Sequence, residues 1–424
     1  MHRPLPNMIS PDTPVNSSQR VPDPTRVNRA IVYKGDVAAA ELLRDRDGVT
    51  FRYVDSYLHG QGRSVATTLP KTTGEVRTRG GSVPAFFAGL LPEGRRLEAL
   101  PTSLKTSPDD EYSMLLAIGH DCVGDVRVLA EGVELLSHTT TTFMWSPEDV
   151  SFDEILETSL AQGASSREKS ISGVQDKLSD SMISLPVAKD AGGAILKLNP
   201  SGHPLIVENE AYVLDMARAA GLRVPIATLV RDRNGRSGLV VERFDRQRSK
   251  DGIVRRIAQE DAVQLANRLP ADKYRMTTTE VFDVVLNVVT AKPVSAENLL
   301  RQFAFSYVVG NGDLHAKNVS VFFDPESIWS VAPAYGLVST IPYGDDRMAL
   351  DLDGRDRNLT GSTILKFGLR NKLNERVIRR MIDEITEGIE PLVDTLGTIG
   401  YSEKKTTHLQ REITQRISQL RQMR

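Results

Sequence analysis

The apolar pair Val308-Val309 runs into a polar loop, Gly310-Asn311-Gly312-Asp313-Leu314-His315-Ala316-Lys317-Asn318. Asp313 stands five residues before Asn318, with His315 and Lys317 between them. A carboxylate so placed can accept the proton of an attacking hydroxyl, and an amide oxygen five residues on can hold a magnesium ion. The chemistry offered by this spacing is phosphoryl transfer. The same residue types also build plain surface turns, because Asp, His and Asn bond local backbone and tolerate unusual φ. The nucleotide must therefore find its site elsewhere in the chain.

Three further stretches are candidates for that site. Ser170-Ile171-Ser172-Gly173-Val174-Gln175-Asp176-Lys177 offers hydroxyls, close backbone approach and a cation to phosphates, although its spacing is not that of a Walker loop. Its plain alternative is a polar loop with no ligand. Gly192-Gly193-Ala194-Ile195-Leu196-Lys197-Leu198 places a lysine inside an apolar strand, where it is costly to bury unpaired. Glu210 shares a helical stripe with Leu214 and Ala217, so a Lys197–Glu210 ion pair is expected, against the alternative of a lysine on an edge strand. Leu239 to Arg246 is an apolar strand running into charge, which suits a hinge between two lobes or an ordinary hairpin strand. After the Asp313 loop a strand pair around Pro325 leads to Ala332-Pro333-Ala334-Tyr335-Gly336.

The elements that must position these residues divide the chain into four parts. A tail at 1–25, rich in Pro, Ser, Asn and Asp, lacks the apolar core of a secretory signal. A small unit at 26–140 has strands at Ala30–Tyr33, Val49–Tyr53 and Val123–Leu129. It also has short helices at Pro84–Leu90, ending in a capped turn at Leu91–Arg96, and at Asp109–Ile118. No chemistry is legible in it. An α+β part at 141–255 begins in a Thr-rich boundary and holds strands at Met182–Leu185, Ala194–Leu198, Ala227–Leu229 and Leu239–Phe244. Its helix, Glu208 to Ala220, is stopped by Gly221. The remainder, 256–424, is mainly helical, with the last helix, Glu403 to Met423, expected as a solvated outer one. With 424 residues, 40% hydrophobic and 25% charged, the chain suits two or three packed units. A formal charge of −2 argues against a nucleic-acid binder acting alone. The single cysteine, Cys122, excludes an internal disulfide and reads as structural; with no apolar run of membrane-spanning length, a cytoplasmic location is expected.

The order of these motifs resembles the HipA-type toxin kinases of bacterial toxin–antitoxin systems. Ser-Ile-Ser-Gly-x-Gln-x-Lys, Ile-Leu-Lys-Leu, Glu-Asn-Glu, Val-Glu-Arg-Phe-Asp-Arg, Gln-Glu-Asp, Gly-Asp-x-His-x-Lys-Asn and Ala-Pro-x-Tyr follow one another from residue 170 onward. The resemblance implies an α+β, bilobal protein-kinase-like fold with an extra small N-terminal α/β subdomain and a mainly helical C-terminal lobe. It implies a serine/threonine protein kinase using ATP and Mg2+. Asp313 would be the catalytic base and Asn318 a magnesium ligand. Lys197 would hold the phosphates, with His315 and Lys317 beside them and Ser172 and Gly173 in the phosphate loop. Glu242 and Phe244 would meet the adenine, and Gln259 and Tyr335 would line the pocket. Ser170 would be autophosphorylated. The implied partners are a helix-turn-helix antitoxin, operator DNA only through that antitoxin, and a protein substrate that in some relatives is an aminoacyl-tRNA synthetase; no membrane is implied.

The pattern breaks at one place. Such kinases carry Ala-Pro-x-Tyr-Asp, whereas here Gly336 stands where the principal magnesium carboxylate is expected. The chain is therefore expected to keep the fold and the nucleotide pocket but to be inactive or severely impaired, or to serve as a nucleotide-binding corepressor instead. A small-molecule kinase of the aminoglycoside or choline type shares the Asp313 loop but not the Ser170 loop or the N-terminal unit.

Overall fold

The computed structural model describes residues 22–135, 146–155, 183–187, 193–200, 202–248, 254–323 and 328–423. The expected loop around Ser170, Ser172 and Gly173, and the turn at Asp324–Pro325, lie outside them.

The N-terminal unit is a five-stranded antiparallel sheet. Its strands are β1 (Arg29–Lys34), β2 (Val37–Arg44), β3 (Gly48–Tyr53), β4 (Val76–Arg79) and β5 (Val126–Ala130), in the order β4-β3-β2-β1-β5. Asp45 builds the β2–β3 turn by accepting the amide hydrogens of Asp47 and Gly48 at 2.8 and 3.0 Å. The helix Glu111–Ile118 matches its expected position, and Phe51, Phe87 and Tyr112 fill a core of this unit's own. The stretch read as one helix and its capped end is instead a single turn, Ala85–Ala88, followed by a second helix, Gly94–Leu104. Leu91 to Glu93 is thus a bridge between two helices, and Glu93 is the residue just ahead of the second one.

The next sheet joins β6 (Ile183–Val187), β7 (Ala194–Leu198), β8 (Ala227–Arg231) and β9 (Ser237–Glu242) in the antiparallel order β6-β7-β9-β8. The helix Ile206–Ala219 ends as expected: Gly221 has φ +77, and Leu222 N–H reaches back to the Ala217 carbonyl at 2.9 Å. Its inner side chains, Val213, Leu214 and Ala217 among them, pack into the same core as the C-terminal helices. A hairpin of β10 (Arg246–Arg248) and β11 (Val254–Arg256) follows. A three-stranded sheet then orders β12 (Gln259–Asp261), β13 (Ser320–Phe323) and β14 (Trp329–Val331) with β13 in the middle.

The helical lobe contains Thr278–Val288, Lys292–Val309, Gly361–Arg370, Glu375–Val393 and Glu403–Leu420. Lys292–Val309 is buried around most of its circumference from Leu299 to Val309, which marks it as the lobe's central helix. It stops at Gly310 (φ +67), where Asn311 N–H bonds the Ser306 carbonyl at 2.8 Å. The final helix is not wholly solvated: Leu409, Ile413, Ile417 and Leu420 are buried. Arg416, also buried, gives its guanidinium to the carbonyls of Tyr307 and Asp346 at 2.8 and 2.7 Å. A charged sequence hid a side chain that caps the helix leading into the Asp313 loop. Among the described residues no helix is long and apolar enough to cross a membrane.

Candidate active site

Gly310 releases the chain from the central helix, and the next residues turn back on themselves. Asn311 accepts the Asp313 amide hydrogen at 3.1 Å and donates to the Gly336 carbonyl at 3.3 Å. Gly312 N–H bonds the Thr340 hydroxyl at 2.9 Å. Asn318 donates its side-chain amide to the Asp313 carbonyl at 2.9 Å, closing the loop, while Gln302 from the central helix holds the Asn318 carbonyl at 3.2 Å. The Tyr274 hydroxyl donates to Asp313 Oδ1 at 2.8 Å. The loop is thus tied to a helix, to the segment after β14 and to the chain near residue 274, unlike a plain surface turn.

Gly336 sits against Asn318. It has φ +63, and a Cβ built on it would lie 3.1 Å from Asn318 Nδ2 and 3.2 Å from Oδ1. The Asn318 NH2 group donates to the Asp313 carbonyl, and its amide oxygen is an acceptor near position 336. A carboxylate at 336 would share this spot with the Asn318 oxygen, which is the arrangement a divalent cation needs. Glycine supplies no oxygen there. Among the described residues no three His, Cys, Asp or Glu side chains come together as a metal site. The residues present therefore fit one half of a magnesium site.

Lys197 and Glu210 are paired. Lys197 Nζ donates to Glu210 Oε1 at 2.6 Å, with the lysine side chain 16% exposed and the glutamate 2%. Two asparagines hold this geometry. Asn199, just beyond β7, accepts Val207 N–H at 3.0 Å and donates to Glu208 at 2.9 Å. Asn209, fully buried beside Glu210, exchanges hydrogen bonds with the backbone of Ser339 at 2.8 and 3.0 Å. The ion pair is thereby linked to the segment that carries Gly336.

An aromatic group stands between the lobes. The Phe244 ring lies 5.8 Å from that of Tyr335 and 6.3 Å from that of Phe322. The Tyr335 hydroxyl donates to the Lys317 carbonyl at 2.6 Å and meets the Ser320 hydroxyl at 2.5 Å; burial pushes its pKa well above the ordinary phenol value. Gln259 reaches the same Ser320 hydroxyl at 3.4 Å. Glu242 has its amide hydrogen taken by the Ile226 carbonyl at 2.8 Å, which removes that donor from any adenine contact. The charged run after β9 fastens the N-terminal unit: Arg243 and Arg246 hold Asp245 at 2.8 Å, Arg246 also holds Asp121 at 2.9 Å, and Asp245 accepts Gly124 N–H at 2.9 Å. Cys122 lies under this network, and burial raises its thiol pKa to about 12, as suits a structural residue.

The N-terminal unit also enters the site, which its sequence did not disclose. Lys317 Nζ donates to the Gly89 carbonyl at 3.0 Å and lies 3.8 Å from both Glu93 and Asp261. Glu93 also receives Lys273 at 3.2 Å. Burial works against ionisation of Glu93, yet the basic groups around it, Lys317 first, hold its carboxyl below the usual range. Asp261 is pushed up to about 6, chiefly by burial and against the pull of Lys317. His315 is fully buried; desolvation takes its imidazole down to about 3, so it is neutral near pH 7. The two basic candidates of the loop thus differ: Lys317 lies among carboxylates, and His315 carries no charge.

Comparison with known proteins bears on this geometry. A family model described as the HipA-like C-terminal domain matches residues 169–392, and one described as the HipA N-terminal domain matches 30–129. The chain belongs to the HipA family. Y4mE of Sinorhizobium fredii, named as a candidate kinase, is 29% identical over 406 residues, covering 90% of this chain and 96% of the relative. The serine/threonine-protein kinase toxin HipA of Shewanella oneidensis is 28% identical over 349 residues, covering 76% of this chain and 78% of the toxin. A solved structure of Shewanella oneidensis HipA with HipB and operator DNA superposes with a TM-score of 0.70 at 20% identity, over 92% of this chain and 97% of that one. The fold is accordingly α+β, bilobal and kinase-like, with the small N-terminal subdomain and the helical C-terminal lobe.

Within this HipA fold, Asp313, Asn318, Lys317, His315 and Gly336 share one loop region, and Phe244, Gln259 and Tyr335 adjoin it through Ser320 and the Lys317 carbonyl. Lys197 and Glu210 connect to it through Asn209. Ser170, Ser172 and Gly173 lie outside the described residues. Reading the sequence missed Glu93, Tyr274 and Asn209. Only Asn209 had a signal, its place in Glu-Asn-Glu; the other two are joined to the loop by tertiary approach alone.

Proposed function

We propose that this chain has the site of a serine/threonine protein kinase, made to pass the γ-phosphoryl of ATP to a protein hydroxyl, and that Gly336 leaves it inactive or severely impaired. The observation that carries both halves is the contact of position 336 with the Asn318 amide, on the loop whose Asp313 is placed to take a proton. Lys197, held by Glu210, would contact the phosphates of ATP, with Lys317 and neutral His315 nearby. Phe244 and Tyr335 offer flat apolar surface to the adenine, with the Glu242 carbonyl and Gln259 beside them. Asn318 would be one magnesium ligand. Magnesium, when bound, would neutralise phosphate charge; the missing oxygen at 336 weakens that hold. Ser172 and Gly173 would complete the phosphate loop, and Ser170 would be the autophosphorylated residue.

The partners follow from the relatives. A relative assembled with HipB on operator DNA supports a helix-turn-helix antitoxin for this chain, with DNA reached through it, since a net charge of −2 gives little phosphate affinity. An aminoacyl-tRNA synthetase is the proposed class of protein target. Gly336 favours a second reading, in which the chain binds ATP without turning it over and works as a corepressor beside the antitoxin.

The test is transfer of label from ATP, with magnesium, by the chain and by its Gly336→Asp variant. Label is expected on protein only with the variant. Equal labelling by both would remove the proposed impairment. A folded, ATP-binding variant that transfers nothing would overturn the kinase reading.

A further inference from the structure

The geometry points to Tyr274 as a positioning residue for phosphoryl transfer: its phenol fixes the orientation of the Asp313 carboxylate that must take the acceptor's proton. This rests on the kinase reading above. Tyr274 lies in the chain between β12 and the helix Thr278–Val288, far in sequence from the Asp313 loop. Its hydroxyl nevertheless donates to Asp313 Oδ1 at 2.8 Å, a full hydrogen bond.

Two features show that this contact is built in. The carbonyl of the preceding residue, Lys273, accepts Ala316 N–H at 3.0 Å, so the two stretches of backbone are joined beside the contact. The Tyr274 ring stands edge-on to the fully buried His315 ring, with centroids 5.0 Å apart at 90°. Lys273 in turn is held by Glu93 at 3.2 Å. The ring therefore has packing on one side and a covalently adjacent anchor on the other, and its hydroxyl has little freedom to leave.

Such a bond matters for a proton acceptor. A carboxylate turns easily about its last torsion, which has broad, shallow wells. General-base action needs one oxygen within about 2.6–3.2 Å of the proton it removes, in a fixed direction. Holding Oδ1 settles that direction before the acceptor arrives, so the benefit falls on the chemical step and not on nucleotide binding. A tyrosine here could otherwise be an acceptor mimic that blocks the base, or itself an acceptor; both give results opposite to those expected from a positioning role.

The test compares the full chain carrying Gly336→Asp with the same chain carrying also Tyr274→Phe, which keeps the ring packed on His315. The other charged groups around the loop, Glu93, Asp261, Lys273 and Lys317, are unaltered. kcat for transfer should fall about ten- to a hundredfold, the effect of losing a hydrogen bond to a charged group. KM for ATP should stay within about twofold. An unchanged or raised kcat, or label on Tyr274 itself, would overturn the proposal. Should Gly336→Asp transfer nothing, the kinase reading fails on that result, and Tyr274 is still read by crystallography of the otherwise unaltered chain. With Phe at 274 the Asp313 carboxylate should rotate or spread over two orientations; a carboxylate that keeps one unchanged orientation would overturn the positioning role.

Discussion

The Lys197–Glu210 pair allows the sharpest test, because its two members are buried to different degrees. Glu210 is 2% exposed and its Oε2 has no hydrogen-bond partner among the described residues; Lys197 is 16% exposed on a five-residue strand between buried Leu196 and Leu198. Lys197→Met removes the cation that reaches Glu210 at 2.6 Å and leaves the buried carboxylate without that partner. Breaking a buried pair in this way costs about 3–5 kcal/mol. The partial exposure of the lysine puts the expected value at the low end, near ~3 kcal/mol. Glu210→Gln is different. The amide oxygen can still accept from Lys197, and the lysine's flexible stem can carry its head toward water, so ~1 kcal/mol is expected. Equilibrium urea unfolding of the two variants measures both costs. Calorimetry with ATP should show a loss of about tenfold or more for Lys197→Met and a smaller loss for Glu210→Gln. Equal destabilisation by both variants would refute the asymmetry argument, and an unchanged ATP affinity in Lys197→Met would refute the phosphate role of the lysine.

Gly336→Asp should raise labelled transfer from background by at least about a hundredfold while costing ~1 kcal/mol, because Asp enters the left-handed region at φ +63 with some strain and must move the Asn318 amide slightly; a thermal melt beside the transfer assay checks both. Burial raises the Asp261 pKa from the ordinary carboxylate value of 3.8 to about 6, so the folded state binds more protons than the unfolded one between them, and its contribution to stability is lost as pH rises from about 4 to about 6. Asp261→Asn, which can still accept the Gln264 amide hydrogen at the helix start, should remove that loss and stabilise the protein at pH 7.5 by roughly 1–3 kcal/mol; denaturant midpoints across pH report it. Arg416→Ala removes the buried guanidinium from the carbonyls of Tyr307 and Asp346 and should cost ~2 kcal/mol, with faster amide hydrogen exchange at Gly310 to Asp313 as the local readout.

What the sequence made legible was local chemistry with a fixed spacing. The Asp313–Asn318 separation, the Gly221 stop and the stripe that turns Glu210 inward each follow from turn or helix geometry within a few residues. β2 was not read as a strand because Val-Ala-Ala-Ala-Glu-Leu-Leu-Arg has little β propensity; pairing on both sides with β1 and β3 makes it one, and its buried Glu41 is neutralised by Arg29 and Arg52. Arg416 was unreadable for a related reason: a buried arginine in a charged helix has the same sequence appearance as an exposed one. The Gly336 vacancy is legible only as a missing oxygen, and the structure adds what it faces.

The N-terminal unit was the largest blank, and electrostatics explains its place in the site. Lys317 and Lys273 are each only 8–10% exposed at their side chains, so their charges need carboxylates close by. Asp261 lies 3.8 Å from Lys317. Glu93, from the N-terminal unit, reaches both ammonium groups, at 3.2 Å from Lys273 and 3.8 Å from Lys317. The same unit grips the neighbouring strand, with Thr67 donating to Glu260 at 2.9 and 2.6 Å and the Phe86 carbonyl accepting from Gln264 at 2.9 Å. A subdomain appended for another purpose would have no reason to set a carboxylate against both lysines. Here its removal would take Glu93 away from both lysines and the Gly89 carbonyl away from Lys317, beside the candidate base, so the subdomain belongs to the active site as much as the loop does.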